Sequence, residues 1–255
     1  MSKQLLIYEN AVPISVNDHR DISIRTGQDW TFAQSLNSIP LVVAEFENAG
    51  AEMPIVFAGE GDELTPVGLT GLQAGENLFV NAEGGWLGRY VPAFLRRYPF
   101  VFAATGENNE TLTLCVDSGF EGVNSDGRGE RLFDSEGNRT QYLEKMLQFA
   151  SDYQAQHQLT RAFCKRLNDL QILEPAVATV TLPDGRQMSL RGFQRVNREK
   201  LAALDDAQVT ELFRSDMLGL IYLHLASLSH MNRLLERMPP EPGAETAPQD
   251  VTEPA

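Results

Sequence analysis

The chain has 255 residues, of which 42% are hydrophobic, so it is long enough to bury one large core or two small ones. Its 35 acidic residues outnumber 21 basic ones, which gives a formal charge of −14. This balance argues against unassisted binding to nucleic acid or to an anionic membrane, because both depend on Lys and Arg neutralising phosphates.

The first half of the chain is predicted to be rich in strands. The predicted strands lie at residues 4–8, 20–25, 54–58, 66–72, 77–80, 100–104 and 111–116, and the last two are expected to form a hairpin. Between them, Val42, Val43, Phe46 and Ala49 fall at helical spacing before Gly50. A second short helix is predicted at 86–98, ending before a proline.

The stretch 117–138 separates the two halves. It is rich in Gly, Asp, Ser and Asn, with a small apolar island at Leu132 and Phe133. Loops of this length in a compact domain are often functional. We predict a surface loop here and take it as the candidate sub-boundary within the domain.

The second half is predicted to be mainly helical. Helical periodicity covers 140–173, 199–204 and 207–237, the last as one long helix or a helix pair. Asp184-Gly185 marks the turn of a hairpin between 177–182 and 187–192. The fold class is therefore α+β, with a strand-rich N-terminal half and a helix-rich C-terminal half in one interlocked domain at 1–238. The acidic, proline-rich tail at 239–255 is predicted to be disordered.

No catalytic or metal motif is assembled in the sequence. The four histidines form no HExxH or similar cluster, and there is no GxSxG, GxGxxG or Walker pattern. Asn124, Asp126 and Glu130 alternate as calcium ligands would, but Arg128 puts a cation among them. We therefore predict no metal, no cofactor and no catalytic residue.

Serine and cysteine chemistry is also disfavoured. Ser227 and Ser229 lie near His224 and His230, but small polar residues on a packed helix account for them. The two cysteines, 115 and 164, have no CxxC spacing, which is typical of reduced thiols in a reducing compartment.

The strongest candidate binding site is the doubled arginine Arg96-Arg97, flanked by Trp86, Tyr90 and Tyr98. One interpretation is a pair that complements the dipole at a helix C-terminus and forms an internal salt bridge. The other is a bidentate clamp for a carboxylate or phosphate. We predict that these five residues bind a ligand.

The sequence predicts a cytoplasmic protein. The N-terminus has only a short apolar run before Glu9, whereas a secretory signal needs a longer one. No stretch of about eighteen apolar residues is present, so no membrane span is expected.

Several segments, in order, resemble the SapC family of proteobacterial proteins. They are IPLVVAEFENAGAEMPIVFAG, VGLTGLQAGENLFV, GGWLGRYVPAFLRRYPF, CVD, GERLFDSEGN, LPDGRQMSLRGFQRVNREKL and LGLIYLHLASLSHMNRL. The resemblance covers roughly residues 5–235 and implies an accessory role linked to nutrient uptake or to surface-layer processes. It also implies a protein partner, which would be a TonB-dependent receptor, a flavin-dependent halogenase-like protein or a cupin-like oxygenase.

The leading hypothesis is a non-catalytic cytoplasmic accessory or binding protein that recognises a peptide or an acidic ligand. One alternative is an enzyme, or an enzyme subunit, that acts on peptides or surface polymers through residues adjacent only in space. Another is a component of surface-layer protein export. We lean against an enzyme, expect no nucleic-acid partner, and leave the oligomeric state open.

Overall fold

The computed structural model describes residues 7–25, 27, 29–105, 111–181 and 187–238. The strand predicted at 4–8 falls largely outside this range, and its last two residues, Ile7 and Tyr8, are not in a strand. The Asp184-Gly185 turn and the tail at 239–255 also lie outside the described residues.

The described residues form eleven strands and eight α-helices. The strands are β1 (Ala11–Pro13), β2 (Ser23–Ile24), β3 (Ser38–Pro40), β4 (Ile55–Ala58), β5 (Thr65–Leu69), β6 (Phe100–Thr105), β7 (Thr111–Asp117), β8 (Val123–Asn124), β9 (Glu130–Arg131), β10 (Leu173–Thr181) and β11 (Gln187–Val196). The helices are α1 (Val16–His19), α2 (Phe46–Gly50), α3 (Ala93–Arg96), α4 (Gln141–Asp169), α5 (Arg198–Ala202), α6 (Asp206–Arg214), α7 (Met217–Ser227) and α8 (Met231–Glu236). The architecture is α+β, as predicted, with most strands in the first half and the long helices in the second.

The largest sheet joins the two halves of the chain. Its five strands are antiparallel, in the order β10-β11-β4-β5-β3. β11, from the second half, pairs with β4 through Phe193 opposite Ala58 and Gln194 opposite Phe57. Strands that are distant in the chain therefore share one sheet.

The main core packs against this sheet and is centred on aromatic side chains. Phe46 of α2, Phe57 of β4 and Phe163 of α4 are all buried. The ring centroid of Phe163 lies 5.9 Å from that of Phe46 and 6.2 Å from that of Phe57. Contacts of this kind add to the apolar burial that stabilises the fold. Ile221 and Leu225 of α7 belong to the same core.

Two smaller sheets complete the strand structure. β6 and β7 form the predicted hairpin, and β1 pairs with the other edge of β7. The third sheet places β2 between β8 and β9. The stretch 117–138, predicted as a surface loop, is mostly exposed or half-buried, but it contains the short strands β8 and β9. Leu132 and Phe133 from this stretch are buried in a second core with Ile24 of β2.

The long helix predicted at 140–173 is present as α4. Thr140 caps it, because its Oγ1 accepts a hydrogen bond from the backbone N–H of Leu143 at 3.3 Å. The helix or helix pair predicted at 207–237 is divided into α6, α7 and α8. Asp216 separates α6 from α7 because its φ of 59° is left-handed, which a right-handed helix does not accommodate.

The helix predicted at 86–98 is present only as the short helix α3. Pro92 is the N-cap of α3, since proline has no backbone N–H for a helix interior. The prediction of a strand at 77–80 was also wrong. Val80 makes only an isolated bridge to Trp86.

Gly71 lies where two backbone segments approach closely. A Cβ at this position would overlap the backbone oxygen of Glu76. We therefore expect Gly71→Ala to lower the free energy of unfolding by about 1–3 kcal/mol, because the loop between these residues must move. Urea denaturation measures this, with Gly219→Ala as a control, since a Cβ on Gly219 meets nothing within 4 Å. Equal losses in both variants would contradict the prediction.

Candidate functional site

A buried carboxylate, Glu45, organises the surroundings of the predicted site. It ends a 3-10 turn ahead of α2, and only 3% of its surface is exposed. Its Oε2 accepts a hydrogen bond from the backbone N–H of Val42 at 2.8 Å. Its Oε1 accepts from the backbone N–H of Ala93 at 2.6 Å and from the Tyr90 hydroxyl at 2.9 Å. Burial raises the pKa of this carboxyl, and the hydrogen bonds oppose that shift.

Tyr90 connects Glu45 to Arg96. The Tyr90 hydroxyl donates to Glu45 and accepts from Nη2 of Arg96 at 3.2 Å, while Nε of Arg96 donates to the carbonyl of Val91 at 2.9 Å. The guanidinium carbon lies 5.5 Å from the ring centroid of Tyr90 and 5.3 Å from that of Phe149. Arg96 is thus exposed yet held in place, and its Nη1 makes no hydrogen bond with a described residue.

Arg96 lies on the wall of a cleft of about 550 Å³. This volume is within the range of about 300–1,000 Å³ that is usual for small-ligand sites. Aromatic side chains form much of the lining: Trp30, Phe32, Tyr98, Phe120 and Tyr142. The charged lining residues are Arg25 and Arg96, with Glu9, Asp29 and Glu121.

Tyr98, another lining residue of this cleft, is held in place by a buried acid. Its hydroxyl donates to Oδ2 of Asp117 at 3.3 Å, and Asp117 is fully buried and also accepts from the backbone N–H of Asn10. The Tyr98 ring contacts those of Phe32 and Phe120, with centroids 4.5 Å and 5.2 Å away. Burial raises the pKa of Tyr98, and the carboxylate of Asp117 raises it further. Burial likewise raises the pKa of Tyr90 to about 12, so both hydroxyls stay protonated at neutral pH.

Arg97 does not join Arg96 in the cleft. Only 3% of its surface is exposed, and its guanidinium carbon lies 4.4 Å from the ring centroid of Tyr153 and 4.9 Å from that of Phe94. Consecutive residues on a helical turn do not face each other. The two arginines therefore do not share one site, as the interpretation of a bidentate clamp would require.

Trp86 also lies outside the cleft lining. Its Nε1 donates to the carbonyl of Tyr90 at 3.0 Å, and its ring stacks on Phe79 with centroids 5.4 Å apart. Of the five predicted site residues, Arg96 and Tyr98 line the cleft and Tyr90 positions Arg96, whereas Arg97 and Trp86 pack elsewhere.

A model of the SapC family matches residues 14–234, a span that contains Glu45, Arg96 and Tyr98. The chain belongs to the SapC family. The resemblance noted in the sequence is thereby confirmed. No curated protein and no solved structure matches this SapC-family chain. Among its described residues, no helix combines the length and apolar character needed to cross a membrane.

Most of the cleft lining was not predicted from the SapC-family sequence. These aromatics come from three separate segments, at Trp30 and Phe32, at Phe120 and at Tyr142, and only the folded chain brings them to one place. Glu45 did leave a signal. It is the single charge in the apolar run 41–46, and an acid buried there requires hydrogen-bond donors.

His224 and Ser227 hold α7 of this SapC-family chain against the central sheet. His224 is fully buried; its Nδ1 lies 2.8 Å from the carbonyl of Ile55, and its Nε2 accepts from the backbone N–H of Val196 at 3.1 Å. This pairing requires the neutral tautomer with the proton on Nδ1. Ser227 Oγ accepts from the backbone N–H of Ile55 and donates to the carbonyl of His224. Both side chains thus bond to backbone, in agreement with a packed-helix role.

The residues considered for calcium form a turn instead. Oδ1 of Asn124 accepts from the backbone N–H groups of Asp126 and Arg128, and Arg128 pairs with Asp126 at 3.0 Å. No group of three or more His, Cys, Asp or Glu is arranged for a metal within the described part of the chain. Cys115 and Cys164 are both buried and are not joined in a disulfide, and burial raises the pKa of Cys115.

Proposed function

We propose that this protein is a non-catalytic accessory protein that binds a peptide or another acidic ligand in the cleft beside Arg96. The main support is the way in which Arg96 is held, by Val91, Tyr90 and the Phe149 ring, with Nη1 left for a ligand. A guanidinium fixed in advance loses less conformational freedom when it binds a carboxylate.

The cleft lining favours a short peptide over a simple acid. Glu9, Asp29 and Glu121 line the same cleft as Arg96, so both an ammonium group and a carboxylate have partners of opposite charge. The aromatic rings between them provide rigid apolar contact area, which is typical of recognition surfaces. A peptide with free termini combines these three features.

We place this role in the cytoplasm and associate it with nutrient uptake or surface-layer processes. Membership of the SapC family supports this setting. The partner that we propose is a TonB-dependent receptor, a halogenase-like protein or a cupin-like oxygenase. The two buried thiols fit a reducing compartment.

Arg96→Gln is expected to weaken peptide binding by about 10- to 100-fold, because a hydrogen bond to a charged group contributes about 1.5–3 kcal/mol. The probe is a peptide recovered by affinity selection from a degenerate library of short peptides with free C-termini. Isothermal titration calorimetry measures its affinity. Arg198→Gln is the matched control, since Arg198 is also exposed but does not line the cleft.

Further measurements test whether Arg96 contacts the peptide carboxylate directly. Arg96→Lys should bind with intermediate affinity, because lysine keeps the charge but lacks the planar fork. The C-terminally amidated peptide should lose affinity for the wild type but little for Arg96→Gln, as expected for two groups that contact each other. Equal affinities of wild type and Arg96→Gln, or a selection that recovers no peptide, would contradict the proposal.

The alternative that the protein is an enzyme is tested by mass spectrometry of the peptide after incubation with the protein. Cleavage or modification of the peptide would favour that alternative.

A further inference from the structure

A second cavity, of about 330 Å³, is lined by three arginines. The lining residues are Arg89, Arg233 and Arg237, with Ala51, Glu52 and Leu87. The chain has 21 basic residues against 35 acidic ones. Three arginines in the lining of one small cavity therefore reverse the sign of the local charge, and such a reversal attracts anions.

Different parts of the chain bring these arginines together. Arg233 lies in α8, and Arg237, four residues later, is the C-cap of that helix with αR backbone angles, so both side chains lie on the same side of the helix end. The guanidinium carbon of Arg237 lies 4.2 Å from the ring centroid of the buried Phe79. The backbone N–H of Arg89 donates to both carboxylate oxygens of Glu52, at 2.9 Å and 2.7 Å.

The charges of this cavity are not balanced by described residues. Arg89, Arg233 and Arg237 form no ion pair with any described residue. Like charges at i and i+4 destabilise a helix, so Arg233 and Arg237 oppose each other until an anion is present. Three positive charges and the one negative charge of Glu52 leave a net charge of +2 in the lining.

We propose that Arg89, Arg233 and Arg237 bind the phosphate group of a small phosphorylated ligand. A phosphate monoester carries a charge of about −1.5 to −2 at neutral pH, which matches the charge of the lining. The planar guanidinium presents paired N–H donors that fit phosphate oxygens. The cavity exceeds the size of a phosphate, so Ala51 and Leu87 are left to contact the organic part of the ligand.

Calorimetric titration of the full chain with inorganic phosphate and with glycerol 3-phosphate tests the proposed phosphate site. The ionic strength is held constant with a chloride salt. Saturable binding is expected for both. Arg89→Gln and Arg233→Gln should each weaken it by about tenfold or more, because each removes a charge-assisted hydrogen bond. Both side chains are exposed, so the melting temperatures should change little, and removal of the Arg233 charge should not lower the melting temperature by more than a small amount. Arg233→Lys should lose less affinity than Arg233→Gln.

Two controls separate this site from the cleft and from general charge effects. Loss of phosphate binding in Arg96→Gln with binding kept in Arg233→Gln would mean that phosphate binds in the cleft, which would overturn the proposal. Arg198→Gln removes one exposed positive charge elsewhere and should bind phosphate like the wild type. The proposal is overturned if the wild type gives no saturable binding, or if Arg89→Gln and Arg233→Gln bind phosphate as tightly as Arg198→Gln does.

Discussion

His224→Leu is expected to lower the free energy of unfolding by about 2–5 kcal/mol, because two buried backbone groups lose their hydrogen-bond partners. The N–H of Val196 loses its acceptor, and the carbonyl of Ile55 loses its donor. Urea denaturation measures the effect. Tyr222→Leu is the control, since Tyr222 lies on the same helix but is 54% exposed. A loss no larger than that of the control would show that the two hydrogen bonds contribute little.

The same imidazole should make the fold less stable in acid. Burial lowers the pKa of His224 from 6.5 to about 4; Arg195 lowers it too, and the bond to Ile55 opposes both. The unfolded chain therefore takes up a proton near pH 6.5, whereas the folded chain does so only near pH 4. Stability is full above pH 6.5 and falls as the pH drops towards 4. The total loss from this group is about 3 kcal/mol.

The predicted pH dependence is tested by comparing the stabilities of wild type and His224→Leu at two pH values. Because His224→Leu has no imidazole to titrate, the stability difference between wild type and variant should shrink between pH 7 and pH 5. Urea denaturation at both values gives this difference. A difference that is constant with pH would mean that His224 is not held neutral in the fold.

Glu45→Ala is expected to lower the free energy of unfolding by about 3–6 kcal/mol, because three hydrogen-bond donors lose their acceptor and each costs about 1–3 kcal/mol. The donors belong to Val42, Tyr90 and Ala93. Thermal and urea unfolding measure the loss. Glu47→Ala is the control, since Glu47 follows two residues later and is exposed.

Glu45→Gln tests whether the carboxylate itself matters. An amide keeps one acceptor oxygen, so the loss of stability should be smaller than that in Glu45→Ala. With that oxygen towards Tyr90 and Ala93, the amide nitrogen faces the N–H of Val42, and this one hydrogen bond is lost. Since Tyr90 joins Glu45 to Arg96, either variant should also weaken binding in the cleft. Unchanged stability in Glu45→Ala would contradict the role of this carboxylate as the organising group.

The elements that could be predicted from the sequence are those with local signals. The hairpin of β6 and β7 and the helix α4 follow from regular patterns in short windows of sequence. β8 and β9 could not be predicted, because each is two residues long and forms only by pairing with β2. The prediction of a helix over 86–98 was wrong because it followed the apolar spacing and passed over Pro92. A helix can begin at a proline but does not continue through one.

Only part of the candidate site could be predicted, because here too only local signals along the chain were available. Arg96 and Tyr98 stood out as charged and aromatic neighbours, but adjacency in the chain also suggested Arg97, which the fold buries. The rest of the cleft depends on contacts between residues far apart in sequence, such as Phe32 with Tyr98. No pattern along the chain encodes such contacts.

The central claim, that a peptide carboxylate binds beside Arg96, is tested most directly by tryptophan fluorescence. The chain has two tryptophans; Trp30 lines the cleft and Trp86 does not. Titration of the selected peptide should change the emission of wild type and Trp86→Phe much more than that of Trp30→Phe, because Trp86 contacts the Trp30 ring, with centroids 6.4 Å apart, but does not line the cleft. Arg96→Gln should need about 10- to 100-fold more peptide. A peptide that binds by calorimetry without changing Trp30 emission, or that gives the same curve in Arg96→Gln, would contradict the account.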